Sequence, residues 1–414
     1  MKRVISCVFA LLLAGSIFFL GGWAAKVRRD VVIDGVEVGG LTYAEAGRCV
    51  REGLSRTPFV LHSPAGNFTP GLVYTDDLDE LLRRAKKGGE YHVTVRRELP
   101  DAEAFVEDVC EKNVIFPQDA QLAFSKNGFS YTAEKEGRWC DFSASLSAVL
   151  EALRTGKEKC SLVTRKWLPD VTEDNLRMRT QKLASFSTRF DASKTARVHN
   201  ISLACERIAG SVIEPGEIFS FNERVGQRTR ENGFLDAPVI VAGEFVSGTG
   251  GGVCQASTTL MGAALRAGLR ITESRPHSLS VGYVPPSQDA MVSRYSDLKF
   301  VNPYPFPVYL LGRTGNGNIS FEVYGMPDGK RYALESVVLE TIKPPPAEVV
   351  EGDEEKLLRA EKSGMRSECY LLVYSEDGTL LSKKLFRRDR YACVQGKVQV
   401  VPVPPVQEPS PLPI

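Results

Sequence analysis

Apolar and polar residues repeat along this chain in patterns that predict short helices and short strands. Thr42 precedes an apolar helical pattern and Glu45 lies three residues later, which is the spacing of a capping box. Strands are predicted where apolar and polar residues alternate between turn residues, as on both sides of Asn316-Gly317. A further strand is predicted from Ala290, an irregular polar stretch over 222–232, and the end of a helix at Gly268. Together these patterns predict an α+β fold class.

Breaks in the pattern divide the chain, which at 414 residues is long enough for several domains. The predicted segments are an apolar N-terminus at 1–29, two small α+β modules at 30–100 and 101–175, a mixed α/β domain at 183–325, a linker rich in proline and acidic residues at 340–362, a small β unit at 363–400 and a proline-rich tail at 401–414.

Residues 4–25 carry no charge, and basic residues lie on both sides of them. A helix of that length spans about 33 Å, enough to cross a bilayer core of ~30 Å. A cleaved signal peptide is the alternative, because Gly22-Trp23-Ala24 is a tolerable cleavage site. The long apolar run favours an uncleaved, single-pass membrane anchor. Under either interpretation most of the chain is extracytoplasmic.

Composition and the absence of certain motifs argue against several classes of function. Lys and Arg total 52 against 51 Asp and Glu, so the net charge of +1 gives no support for a nucleic-acid partner. The sequence contains no phosphate-loop, zincin or C-x-x-C motif, and we predict neither a metal nor another cofactor. Besides Cys7 and Cys254, seven scattered cysteines predict no disulfide framework, although export would permit one bridge.

The candidate chemistry lies where a hairpin pattern ends in four glycines between Gly248 and Gly252. Cys254 follows at the expected start of a helix, where unpaired backbone N–H groups and the helix dipole lower the pKa of a thiol. The amides of Gly251 and Gly252 could approach a substrate carbonyl closely. With His277 downstream, these residues suit a cysteine acyl-transfer enzyme. A buried cysteine and a structural histidine are the alternative interpretation.

Several stretches, in order, are similar to the VanW-domain proteins of bacterial cell envelopes. They are Leu183–Thr188, Arg197–Ile201, Glu214–Asn222, Gly226–Phe234, Gly250–Gln255, Pro276–Leu279, Tyr283–Pro286 and Asp289–Ala290. The region 31–168, which includes Asp34–Leu41, resembles the tandem peptidoglycan-binding module that often precedes this domain. The segment 368–400 is similar to a G5-type β module.

The resemblance implies peptidoglycan cross-linking by an L,D-transpeptidase-type acyl transfer on stem peptides. It implies Cys254 as the nucleophile and His277 as the base, and by charge and motif position Asp289 is expected to orient His277. The further expected site residues are Gly251 and Gly252 for the oxyanion site, and Arg228, Gln255 and Ser257 for substrate binding.

Two alternatives remain open at the level of sequence. One is a Cys/His peptidoglycan endopeptidase, which differs only in the acceptor that resolves the acyl-enzyme, and acceptor choice depends on how well the site excludes water. The other is a non-catalytic peptidoglycan-binding envelope protein associated with vancomycin resistance. The sequence leaves any protein partner unidentified.

Overall fold

The computed structural model of the chain describes residues 25–241 and 244–402. The predicted anchor at 4–25 and the tail at 401–414 therefore lie almost entirely outside the described residues. Within the described part of the chain, no helix is both long enough and apolar enough to cross a bilayer.

Short helices and strands are interspersed along the described chain, which confirms the predicted α+β class. The helices are α1 (Tyr43–Gly53), α2 (Leu78–Arg84), α3 (Ala102–Glu111), α4 (Phe142–Arg154), α5 (Glu173–Met178), α6 (Thr195–Ile208), α7 (Phe221–Val225) and α8 (Val253–Arg266). The strands before residue 170 are β1 (Val31–Ile33), β2 (Val36–Glu37), β3 (Val60–Ser63), β4 (Gly66–Phe68), β5 (Val73–Asp76), β6 (Gly89–Tyr91), β7 (Val95–Glu98), β8 (Gln121–Ser125), β9 (Gly128–Thr132), β10 (Gly137–Cys140), β11 (Lys159–Ser161) and β12 (Thr164–Trp167). The later strands are β13 (Gln181–Arg189), β14 (Ser211–Ile213), β15 (Ile218–Ser220), β16 (Asp236–Val241), β17 (Glu244–Thr249), β18 (Arg270–Glu273), β19 (Lys299–Val301), β20 (Val308–Gly315), β21 (Asn318–Gly325), β22 (Lys330–Ile342), β23 (Glu348–Glu351), β24 (Lys356–Arg359), β25 (Gly364–Ser375), β26 (Leu380–Tyr391) and β27 (Lys397–Val400).

The first compact unit consists of the described residues up to 119 together with 134–170. One of its cores lies around Ile33 and Leu78, and the other around Phe59 and Val149. Helix α1 begins with the predicted capping box: Thr42 accepts from the Glu45 amide at 3.3 Å, and its own amide donates to the Glu45 carboxylate at 2.9 Å. A disulfide joins Cys110 to Cys140, a single bridge of the kind the sequence allowed.

The second unit consists of 120–133 and the described residues from 171 onward. Its central element is α8, which packs on the antiparallel sheet β13-β21-β20-β14. Leu260, Ala263 and Ala264 are fully buried there. Small residues are required along this helix, since a Cβ added at Gly262 would lie 2.2 Å from the Phe186 ring.

The end of α8 follows from its sequence. Gly268 has a φ of +75°, its amide donates to the Leu265 carbonyl, and the Leu269 amide donates to the Ala264 carbonyl at 3.0 Å. This pairing is a Schellman motif, which confirms the predicted stop at the glycine. The predicted hairpin at Asn316-Gly317 is also confirmed, because β20 and β21 pair on either side of it.

Two local predictions were wrong. The stretch expected to be irregular after Phe221 begins with the short helix α7. The strand expected from Ala290 does not form, because side chains take its backbone groups: the Ala290 amide donates to Thr258 Oγ1 at 2.9 Å, and its carbonyl accepts from Ser257 Oγ at 2.6 Å. Groups bonded in this way are not available to a strand ladder.

The C-terminal residues belong to the second unit. Strands β22, β25 and β26 form an antiparallel sheet, and Phe386 of β26 packs against the core around α8. The range predicted as a linker, 340–362, contains β23 and β24, which both pair with β27. The boundaries expected at 340–362 and 363–400 stay predictions.

Candidate active site

The glycine segment positions Cys254 at the start of α8. The helix begins one residue before Cys254, which confirms the expected position, and Gly252 is its N-cap with a φ of +105°. A Cβ added at Gly252 would lie 2.9 Å from Arg197 Cγ, and one added at Gly251 would lie 2.6 Å from a carbonyl oxygen of β16. Glycine is therefore required at both positions.

A buried asparagine fixes this segment. The Asn200 amide group donates to the Leu235 and Gly251 carbonyls at 2.9 and 3.0 Å, and its oxygen accepts from the Leu235 amide at 2.8 Å. Among the hydrogen bonds of the described residues, the amides of Gly251, Gly252 and Cys254 have no acceptor. These N–H groups at the helix start are thus available to an oxyanion.

The structure places the Cys254 thiol beside the His277 imidazole, where each acts on the charge of the other. Burial opposes ionisation of the thiol, but His277, the Val292 amide and the charge of Arg228 together lower the pKa of Cys254. Burial likewise opposes the charged imidazole, yet Asp289 and Cys254 raise the pKa of His277 to about 9. These opposite shifts favour a thiolate–imidazolium pair at neutral pH.

Asp289 holds the other side of the imidazole. Its Oδ2 accepts from His277 Nδ1 at 2.6 Å and from the His277 amide at 2.7 Å. Both side chains are buried, at 1% and 8% exposure. Burial raises the pKa of the carboxyl, but bonds from His277 and from Tyr391 outweigh it and lower that pKa. Thiol, imidazole and carboxylate follow one another as nucleophile, base and orienting group do in acyl-transfer enzymes.

Cys254 and His277 line a cleft of about 1760 Å³ in the second unit. Among the described residues that line it, one side chain, Asp191, is acidic, and the basic ones are Arg189, Lys194, Arg197, Arg228, Arg294 and Lys362. Arg197 and Arg228 are half-buried near the thiol, and burial lowers the pKa of both. Neither has a carboxylate within ion-pair distance among the described residues. Such unpaired, partly buried cations favour an anionic ligand.

Two residues expected to bind substrate already form hydrogen bonds with other residues of the protein. Gln255 is 1% exposed, and its amide accepts from Arg197 at 2.7 Å while donating to Thr188 and to the Arg189 carbonyl. Ser257 is fully buried and bonded to the Ala290 carbonyl. Gln255 nevertheless lines the cleft, and the substrate-binding role expected of Gln255 and Ser257 stays a prediction. Arg228 does face the cleft, where it donates to Asn222.

Sequence reasoning did not assign a role to three residues at this site. Arg197 lies four residues before the buried Ile201, and a cation on that helical face is the signal that could have marked it. Tyr391 and Arg387 donate to Asp289 Oδ1 at 2.6 and 3.2 Å from about a hundred positions away. No local pattern reports such a pairing. No cluster of His, Cys, Asp and Glu in the described chain is arranged to hold a metal ion.

Comparison with known proteins places this site in a recognised domain. Residues 196–324 match the family model described as VanW like protein, and residues 74–161 match the one described as putative peptidoglycan binding domain. Cys254, His277 and Asp289 all fall in the first of these matches.

Two curated proteins are similar to part of the chain. The uncharacterized protein YoaR of Bacillus subtilis is 44% identical over 146 residues, which are 35% of this chain and 48% of YoaR. The vancomycin B-type resistance protein VanW of Enterococcus faecalis is 31% identical over 127 residues, 29% of this chain and 46% of that protein. The chain thus spans about half the length of the curated relatives it matches. The family models and these relatives together show that the chain contains a VanW-like domain and a putative peptidoglycan-binding domain, and that part of it is similar to YoaR.

Proposed function

We propose that this protein is a cysteine acyltransferase of the bacterial cell wall, an L,D-transpeptidase that cross-links peptidoglycan stem peptides. The observation that supports it most is the series of Cys254, His277 and Asp289 beside a basic cleft, in which the buried hydrogen bond between His277 and Asp289 lies next to the thiol. The match of residues 74–161 to a putative peptidoglycan-binding domain supports the choice of polymer. The name of one relative, a vancomycin resistance protein, is consistent with action at the cell wall.

The first half-reaction would acylate the thiol. The Cys254 thiolate attacks the carbonyl carbon of the third stem residue, and a C–S bond forms. The carbonyl oxygen becomes an oxyanion facing the free amides of Gly251, Gly252 and Cys254. The His277 imidazolium gives its proton to the nitrogen of the terminal D-alanine as the C–N bond breaks. D-alanine leaves, and a thioester remains on Cys254.

The second half-reaction would transfer the acyl group. An amine from another stem attacks the thioester carbonyl, and neutral His277 takes the proton released by that amine. A new amide bond forms, the C–S bond breaks, and the thiolate–imidazolium pair is restored. If water replaces the amine, the product is a free carboxylate and the enzyme acts as a peptidase.

The basic cleft would bind the donor stem through its carboxylates. Arg228 and Arg197 flank the thiol without an ion-pair partner in the described residues, so a substrate carboxylate would neutralise buried charge. Arg228 is the proposed carboxylate clamp, and Gln255 holds Arg197 beside it. Peptidoglycan lies outside the membrane, so the proposal places the described residues there, attached through the predicted anchor at 4–25.

Mass spectrometry of the purified protein incubated with a disaccharide-tetrapeptide tests this function. We expect a tripeptide thioester on Cys254 and a cross-linked dimer in solution, and neither with Cys254→Ala, because the thiolate is the nucleophile. Cys160→Ala is the matched control, since burial raises the pKa of that free thiol and it lies in the other unit.

Each alternative has its own outcome in the same experiment. Acyl-enzyme with hydrolysed stem and no dimer would favour hydrolysis over transfer, as the Cys/His peptidase alternative requires. Wall binding by the wild type without any adduct on Cys254 would favour the non-catalytic binding protein and contradict the proposal.

A further inference from the structure

The Asp289 carboxylate is buried against strand β26, far along the chain from the residues it serves. Tyr391 donates its hydroxyl to Asp289 Oδ1 at 2.6 Å. The Arg387 guanidinium donates to the same oxygen at 3.2 Å and to the Asp289 main-chain carbonyl at 2.8 Å. Tyr391 is 1% exposed and the Arg387 side chain 11%. One carboxylate oxygen of Asp289 thus accepts hydrogen bonds from His277, and the other accepts them from residues of β26.

The same strand also holds the backbone on both sides of the catalytic pair. The Tyr391 hydroxyl accepts from the Ser287 amide at 2.7 Å. Ser287 has a φ of +64°, a conformation that an L side chain adopts at a cost, so its surroundings must hold it there. On the His277 side, the amide of Ala392, the residue that follows β26, donates to the Ser278 carbonyl at 2.8 Å.

We infer that the C-terminal hairpin formed by β25 and β26 completes the active site, with Tyr391 and Arg387 as positioning residues that fix Asp289 and, through it, His277. Both lie beyond residue 324, where the match to the VanW-like family model ends. The inference rests on the proposed role of Cys254 as the nucleophile. Neither residue lines the cleft, so neither is expected to touch substrate.

Loss of a hydrogen bond from Tyr391 or Arg387 should change the ionisation of Asp289. A buried carboxylate stays ionised only while donors or cations stabilise it. Loss of a donor should let Asp289 take up a proton at a higher pH, and the His277 imidazolium then loses its counter-ion. The ionisable groups that face Asp289 and His277 are Cys254 of α8, Tyr283 of the intervening loop, and Arg387, Asp389 and Tyr391 of β26; Arg228 lies beyond the thiol.

The test is the pH dependence of Cys254 alkylation by iodoacetamide, followed on the Cys254 peptide by mass spectrometry. Tyr391→Phe removes one hydroxyl and keeps the ring. We expect the acid limb of its alkylation profile to move up by about 0.5–1 pH unit, because a hydrogen bond to a charged group is worth about one pKa unit and the thiol senses it indirectly. Stem-peptide acylation at neutral pH should slow while KM stays unchanged.

Tyr370→Phe is the matched control, since its hydroxyl donates to Glu368 on the same sheet, away from the site. If Tyr391→Phe does not fold, as judged by its thermal transition, Arg387→Gln replaces it. Its control is then Arg388→Gln, because Arg388 pairs with Glu368. The inference is overturned if the acid limb of the variant's alkylation profile coincides with that of its control or moves to lower pH.

Alkylation does not require the transferase reaction, so the two proposals fail separately. A shifted limb in a protein that never acylates with stem peptides supports the positioning role and contradicts the proposed function. Normal acylation with an unmoved limb contradicts the positioning role alone.

Discussion

At the scale of single residues, the site consists of charges that stabilise one another. His277 has a raised pKa because Asp289 and Cys254 outweigh the effect of its burial, and Cys254 has a lowered pKa largely because of His277. The lowered pKa of Cys254 depends on His277, and the raised pKa of His277 depends on both Asp289 and Cys254. The reactive state therefore belongs to the pair rather than to either residue.

Replacing the base tests this directly. His277→Ala should slow formation of the acyl-enzyme by roughly 10²–10⁴-fold, the usual contribution of a positioned proton-transfer group, while donor binding remains. Single-turnover mass spectrometry measures the rate. His199→Ala is the matched control, because that exposed imidazole bonds the Gly233 carbonyl. Undiminished acylation in His277→Ala would remove His277 from the mechanism.

At the scale of elements, the sequence predicted what depends on local signals. The start of α8 after four glycines, its Schellman end at Gly268 and the Thr42 capping box each need only a few neighbouring residues. The coil at Ala290 and the burial of Ser257 were not predicted, because each depends on which face of α8 meets a distant loop. Local patterns carry no information about that pairing.

The glycine segment gives the prediction at this scale. Gly252→Ala should destabilise the fold by more than Gly216→Ala, as measured by urea denaturation. Both positions have positive φ, which costs an L residue roughly 1–2 kcal/mol. A Cβ at Gly216 meets nothing within 4 Å, whereas one at Gly252 meets Arg197 at 2.9 Å. Gly252→Ala should also reduce acylation. Equal losses of stability would contradict the crowding argument.

At the scale of the whole molecule, the coupled pair determines how stability depends on pH. The ordinary pKa of His277 is 6.5 and its folded value is about 9, so its contribution is present below 6.5 and is lost as pH rises through 9. The pKa of Cys254 is lowered from 9.0, so its contribution is present above 9 and is lost as pH falls through the folded value. The loss from His277 between pH 6.5 and 9 and the gain from Cys254 below pH 9 run in opposite directions, so they offset each other where the two ranges overlap.

The free energy of unfolding, taken as the difference from the double variant Cys254→Ser/His277→Gln, should therefore be level in the pH range where the two changes overlap, which ends at pH 9. His277 alone would give a fall of up to about 1.4 kcal/mol per pH unit as pH rises through that range. Urea titrations across pH 5–10 measure this difference. A steady fall across that range would mean that the gain from Cys254 is absent.

The two compact units are interleaved along the chain. Strands β8 and β9 lie between the two stretches of the first unit, yet they belong to the second, where Phe129 contacts Tyr309 and Tyr324. A recombination event that exchanged 101–175 as a cassette would remove these aromatic contacts from the unit that holds Cys254. The β8–β9 hairpin and the unit that holds Cys254 should therefore stay together in related proteins. Sequence changes in the hairpin should be matched by changes at Tyr309 and Tyr324.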